Sequence, residues 1–397
     1  MPRVAILTSG GIAPCLSASI GGLLEKYNEI SPDSEIIGYE HGYRGLLLGK
    51  SIEFSNRAKE TFSTLYNFGG TPIGNSRVKL TNVDDCVKKG YVSEGQDPLE
   101  VAAKQLEKDR IDILHTIGGD DTNTMSAALA KYLENSGKKL TVVGLPKTVD
   151  NDVIPVKQTL GAWTAAEQGA RFFQNIVNEN TTSRRQLIVH EIMGRHCGWL
   201  TAGTAYEYRK SLENMTFLPE LNMSRERWDV HAVYIPEMNI DFQKESQRLR
   251  ECMDKNDCVN IFLSEGAGMD TIVREIESQG QEVPRDAFGH VRLDDINPGQ
   301  WFAKQFAESL DADKTLIQKS GYFARSAKPG DRDLELIKKS AFMAAEFALK
   351  GESGLVGLDD NNNGELGLIN LQLIEGGKAF DTTQLWFQEM LSEIGQQ

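Results

Sequence analysis

The chain has 397 residues, with 43 Lys and Arg against 57 Asp and Glu, and a formal net charge of −14. That length is about two ordinary domains, and an apolar share of 40% with 25% charged residues is the composition of a globular protein. The acidic balance argues against nucleic acid, whose binders carry basic stripes, and no apolar run nears the ~18 residues that would cross a membrane. Five dispersed cysteines (Cys15, Cys86, Cys197, Cys252 and Cys258) lack zinc or redox spacing, and the chain enters a strand at once with no secretory leader in sight. Both point to a cytoplasmic protein with reduced thiols.

In chain order, residues 4–7 read as a strand that runs into Thr8-Ser9-Gly10-Gly11, with a helix from residue 16. A strand, a glycine pair and a helix start form a geometry that suits phosphate, although alone it is also a common tight turn. A strand over 36–39 follows, and then the glycine-rich run Gly69-Gly70-Thr71-Pro72-Ile73-Gly74-Asn75-Ser76-Arg77. Residues 98–107 read as a helix. The next unit carries most of the information. A strand beginning at Ile111 ends at Gly118-Gly119-Asp120-Asp121-Thr122, and a helix from Thr122 places Met125, Ala128, Leu129 and Leu133 at helical spacing. A strand over 140–145 then ends at Pro146-Lys147-Thr148-Val149-Asp150-Asn151-Asp152. The crossover is long enough for the two strands to be parallel, and ligands bind beyond the carboxyl ends of parallel strands.

Asp120, Asp121, Lys147, Asp150 and Asp152 should therefore converge on one site. Asp and Gly most often make turns, but two charged turns at neighbouring strand ends favour a ligand. A helix start and a lysine suit an anionic phosphate; the carboxylates would repel it unless a hard cation such as Mg²⁺ sits between them. A remaining Asp could act as base toward an acceptor hydroxyl. Further on, a helix over 161–178 buries one face. Strands are expected over 186–189, 230–235, 258–263 and 315–318. They lead into Met193-Gly194-Arg195, Ser264-Glu265-Gly266 and Tyr322-Phe323-Ala324-Arg325. A helix over 334–350, a loop and a closing segment at 386–394 complete the chain, with no chemistry read there. The turn at residues 359–364 lacks the Glu of a calcium loop.

These residues resemble the phosphofructokinase family, and most of all its pyrophosphate-dependent branch. ATP-using relatives carry GGDG and PGTIDND-like loops; here Asp121 and Lys147 stand where each has its second glycine. Gly69 to Arg77 matches GGTxLGSxR, and Met193-Gly194-Arg195, Ser264-Glu265-Gly266 and the pair Tyr322 and Arg325 match further motifs. The first loop departs from GGDAPG at Ile12 and Cys15.

The resemblance implies an α/β fold of two Rossmann-like lobes with mostly parallel sheets. A phosphoryl-donor lobe would cover 1–160, with roughly 266–330 returning to it; a sugar-phosphate lobe would cover 161–265 with 331–397. It implies reversible transfer from pyrophosphate to the 1-hydroxyl of fructose 6-phosphate, in glycolysis or gluconeogenesis, by a homodimer or homotetramer. Asp150 would be the base, with Lys147, Arg77 and Asp121 as further catalytic residues, Gly11 and Lys147 on pyrophosphate, and Asp120 on Mg²⁺. Thr148, Asp150, Met193, Gly194, Arg195, Glu265, Tyr322 and Arg325 would bind fructose 6-phosphate, with Lys314 or Lys319 adding charge. An arginine of bacterial relatives is replaced by Gln186, and Arg185 is the candidate substitute. The rivals are an ATP-dependent sugar kinase, a silent sugar-phosphate-binding subunit and an NAD-linked dehydrogenase. The last lacks G-x-G-x-x-G with its acidic partner.

Overall fold

The computed structural model describes residues 1–280, 282–284 and 296–396, and the chain divides into two compact units. The first comprises Met1–Thr164 and Arg325–Lys378, the second Ala165–Ala324 and Ala379–Gln397. Thus the expected return of roughly 266–330 to the first lobe does not occur. Residues 325–378 return instead, because they supply strands to the first unit's sheet.

That sheet has seven strands: β1 (Arg3–Thr8), β2 (Glu35–Tyr39), β3 (Ser51–Glu53), β4 (Ile113–Gly118), β5 (Thr141–Pro146), β11 (Gly354–Asp359) and β12 (Glu365–Ile369). Their order is β12-β11-β5-β4-β1-β2-β3. The five central strands are parallel; β3 and β12 close the edges antiparallel. β1, β4 and β5 are buried almost throughout, as expected of short continuous apolar runs covered by helices on both faces. The crossover helix Asp120–Asn135 starts two residues earlier than its apolar spacing predicts. Two carboxylates in the first turn suit the helix dipole, so the polar residues extend the helix backward. β11 and β12 form a hairpin around residues 359–364 that the sequence reading took for a loop. A short ladder joins β6 (Val153–Ile154) to β13 (Glu375–Gly376). Leu371 and Ile374, just before β13, are buried in the first unit's apolar cluster with Met125, Leu129 and Val153. Each such side chain contributes ~1.5–3 kcal/mol on burial, more than a two-residue ladder could supply.

The second unit holds a four-stranded, wholly parallel sheet in the order β10-β7-β9-β8. Its strands are β7 (Gln186–Ile192), β8 (Ala232–Tyr234), β9 (Cys258–Ser264) and β10 (Lys314–Lys319). The strand expected over 230–235 is pared to three residues: the amide of His231 bonds to the carbonyl of Asn260, but the pairing register begins at Ala232. On one face Phe173 stacks on His190 at 5.3 Å between ring centroids. On the other, Tyr234, Phe302 and Phe306 pack together. His190 is fully buried, its pKa pushed down to about 3 by desolvation, so it is a neutral core histidine donating to or accepting from Ser320 at 2.7 Å. No described helix is long and apolar enough to cross a membrane.

Candidate functional site

In the first unit, the adjacent parallel strands β1, β4 and β5 end on one edge of the sheet, and three loops meet there. The Ser9-Gly10 turn is stitched to its neighbours by backbone bonds: Ser9 N–H to Ile117 O at 3.0 Å and Gly10 N–H to Ser76 O at 2.9 Å. The Asn75 amide donates to Gly10 O at 2.6 Å. Lys147 follows β5, with its own N–H bonded to Gly118 O at 2.9 Å. Its ammonium reaches back to Gly11 O at 2.8 Å and is only 4% exposed. Arg77 Nη2 lies 3.5 Å from where a side chain on Gly11 would begin. So the predicted Gly11, Arg77 and Lys147 do come together, two cations beside a glycine turn.

Burial pushes the Lys147 amine below its ordinary 10.5; the charges of Cys15, Asp150 and Asp152 pull the other way, and Arg77 adds to the depression. Between the lowered value and 10.5 the unfolded chain holds a proton that the folded chain does not, so this group makes stability rise with pH across that window. In activity the sign is opposite. If Lys147 meets an anionic donor, as the family resemblance implies, kcat/KM for pyrophosphate should begin to fall at a pH below 10.5. Lys147→Arg, which stays charged, should move that alkaline limb upward. A pH profile of kcat/KM for both forms checks this; an unmoved limb would assign it to another group.

The carboxylates divide into two sets. Asp120 is half-buried in the first helical turn, and Asp152 is close enough that the charge of Asp120 adds to burial in raising the Asp152 carboxyl. A half-buried carboxylate facing a second one is a place for a divalent cation. Among the described residues no cluster of three or more His, Cys, Asp and Glu could hold a metal ion. Two carboxylates with water and substrate phosphates suit Mg²⁺, which keeps part of its hydration shell. Asp121, by contrast, is exposed and forms an ion pair with Lys79 at 2.5 Å. The sequence reading missed Lys79. The Asp121 charge is partly offset by that ammonium. Asp150 sits half-buried on the β5 turn, its N–H bonded to Thr148 Oγ1 at 3.1 Å. Thr148 O accepts from Thr159 Oγ1 at 2.8 Å, and Asn151 Oδ1 accepts from Thr159 N–H at 2.8 Å. These bonds hold the Lys147–Asp152 turn without using the Asp150 carboxylate.

A second cluster lies at the strand ends of the second unit. Met193, Gly194 and Arg195 follow β7; Gly194 has φ +133°, which favours glycine, and its carbonyl accepts from the Ser264 hydroxyl. Glu265 N–H bonds to Ile192 O at 2.9 Å, and a Cβ on Gly266 would strike the Arg195 carbonyl. The two predicted motifs are therefore locked backbone to backbone. Met193 packs 3.1 Å from the Cβ position of Gly321, which brings in the turn after β10. Tyr322 and Arg325 occupy the single helix Gly321–Arg325 at i and i+3, hence on one face, with Tyr322 79% exposed. Lys319 is paired with the buried Glu191 at 2.7 Å, while Lys314, at the opposite end of β10, pairs with Glu179. Arg185, the candidate substitute for the missing arginine, sits beside Gln186. It lies at the start of β7, bonded to the carbonyls of Leu310 and Asp311 and to Asp254.

Parallel α/β units that bring a buried amine, an arginine and paired carboxylates to glycine-bearing strand ends form a phosphate-handling class of enzyme fold. Within that class the chain belongs to the phosphofructokinase family, whose model matches residues 3–348. It is 59% identical over 394 residues to the pyrophosphate–fructose 6-phosphate 1-phosphotransferase of Methylotuvimicrobium alcaliphilum, covering 99% of this chain and 96% of that protein. Identity to the protein of the same name from Mastigamoeba balamuthi is 56%, with 99% and 96% covered. The crystal structure of a pyrophosphate-dependent phosphofructokinase from Marinobacter aquaeolei shares the fold, with a TM-score of 0.72 at 19% identity, covering 99% of this chain and 91% of that one.

Proposed function

We propose that this protein transfers a phosphoryl group from pyrophosphate to the 1-hydroxyl of fructose 6-phosphate, reversibly, giving fructose 1,6-bisphosphate and phosphate. The observation that carries the reading is the buried Lys147 ammonium on the Gly10-Gly11 turn with Arg77 beside it. A cation kept out of water costs several kcal/mol, a cost repaid when a multiply charged anion binds. The names of relatives at 56–59% identity over 99% of the chain point to the same donor and acceptor.

In this reading the diphosphate lies along Gly11, Arg77 and Lys147. Asp120 and Asp152 would hold Mg²⁺, which would supply positive charge to offset that of the diphosphate. Met193, Gly194, Arg195, Glu265, Tyr322 and Arg325 are the residues assigned to the sugar phosphate, and Thr148 is assigned to the same substrate. Asp150 takes the proton from the 1-hydroxyl as its oxygen bonds to phosphorus. The bridging P–O bond breaks, and phosphate leaves. Lys147 and Arg77 stay in place and stabilise the charge that shifts onto the bridging oxygen. The same reading makes the enzyme a cytoplasmic homodimer or homotetramer in glycolytic carbon flow, and light scattering measures its mass in solution.

The direct test supplies purified protein with Mg²⁺, fructose 6-phosphate and either pyrophosphate or ATP. Fructose 1,6-bisphosphate from pyrophosphate alone is the expected result. Product from ATP alone would overturn the donor, and no product with either would return the silent-subunit reading.

A further inference from the structure

We propose that Gly376 is a positioning residue for the Asp120 carboxylate, acting from a C-terminal strap over residues 371–378 that packs on the donor loops. This rests on the reading of Asp120 as a Mg²⁺ ligand and extends it to a part of the chain far from every motif.

The strap is held at several points. Leu371 and Ile374 are buried in the apolar cluster. Glu375 and Gly376 pair with Ile154 and Val153, immediately after the Lys147–Asp152 turn. The Lys378 N–H donates to Asp152 O at 3.0 Å, and its ammonium donates to Val156 O at 2.7 Å and pairs with Asp360. So the strap touches both loops whose carboxylates would share the cation. At Gly376 a Cβ would lie 2.1 Å from Asp120 Oδ2 and 2.7 Å from its Cγ, so a side chain there forces one of the two to move. Gly376 has no positive φ, so this glycine is required by the space given to Asp120 rather than by its own backbone. Anchored on both sides, the strap is harder to shift than the end of one half-buried side chain. An added methyl is therefore relieved by turning the Asp120 carboxylate out of its place. Groups that orient metal ligands from behind commonly change metal affinity by 10- to 100-fold.

The test uses Mn²⁺ as the metal, with the free ion counted by electron paramagnetic resonance, on full-length wild type, Gly376→Ala, Asp120→Ala and the double variant. The expected result is roughly a tenfold or greater loss of Mn²⁺ affinity in G376A, with KM for fructose 6-phosphate within about threefold of wild type. In the D120A background, G376A should add nothing, because the group it displaces is gone. Wild-type Mn²⁺ affinity in G376A, or an equal loss in both backgrounds, would overturn the proposal. If G376A melts too low to titrate, the melting temperature carries the cycle: recovery in D120A/G376A supports the collision with Asp120, and no recovery overturns it. A wild type that makes fructose 1,6-bisphosphate yet binds no Mn²⁺ would remove Asp120 as a ligand and this inference with it. Absence of turnover with Mn²⁺ binding intact would strike the functional reading alone.

Discussion

Asp150→Asn should lower kcat for pyrophosphate-dependent formation of fructose 1,6-bisphosphate by 10²–10⁴-fold, the usual contribution of a positioned general base. The amide keeps the shape of the side chain. The turn that carries it is held by the Thr148, Asn151 and Thr159 bonds, none of which needs the carboxylate of residue 150. Fold and substrate binding should therefore survive, with KM for either substrate within about threefold; a loss in kcat alone is the signature of an interaction made only at the transition state. The charge of Asp150 also helps keep Lys147 protonated, so a small part of the loss should appear as an earlier alkaline limb. An aldolase-coupled assay measures all three quantities. If D150N keeps a tenth or more of wild-type kcat, proton removal belongs elsewhere, and the half-buried Asp152, whose carboxyl is raised above its ordinary value, becomes the first replacement to test.

The second large effect concerns the choice of donor. Asp121→Gly combined with Lys147→Gly should cost 10²–10³ in turnover with pyrophosphate, since one preorganised donor to the transferring group is lost. It should also bring turnover with ATP from undetectable to measurable. Both side chains take up room at turns where ATP-using relatives carry glycine. Removing Asp121 does more than clear space: it releases the Lys79 ammonium from its ion pair, leaving a cation available to a nucleotide phosphate. On that basis D121G should contribute more to ATP use than the removal of one negative charge would, and D121G/K147G/K79M should lose part of the gain. Parallel assays with both donors settle the matter; a double variant with no ATP turnover refutes the exclusion argument.

Much of this site was legible because its parts are local. A strand runs into a glycine pair at β1, into a glycine pair and two carboxylates at β4, and into a charged turn at β5, each within about ten residues, and alternation of apolar run and helical spacing implies parallel pairing. What escaped the reading is non-local. β11 pairs with β5 from more than 200 residues away, and its glycines, Gly354 and Gly357, weaken the strand signal so that the hairpin passed for a loop. The Asn-Gly turn at Asn363-Gly364 between Leu-rich flanks was the one cue available. Lys79 lies beyond the end of a recognised motif, and nothing in its spacing points to Asp121. Gly376 fell within the stretch read only as a loop, because a glycine that makes room for a neighbour from another part of the chain leaves no local pattern. Arg185 is adjacent in sequence to the position of interest, but its bonds to the helix end at Leu310 and Asp311 are again non-local and left no trace in the spacing.

The interleaved course of the chain also bears on how it is made. On the ribosome, β5 emerges early, yet its outer neighbour β11 follows only after the whole of residues 165–324 has been synthesised. At about 5–20 residues per second, that delay is on the order of 10–40 s. Throughout it, one side of β5 presents unpaired N–H and C=O groups, the kind of edge that recruits other chains. The usual order, in which the N-terminal part of a nascent chain folds first, is therefore inverted. The stretch 165–324 can close its four-stranded parallel sheet while the first unit waits for its last three strands.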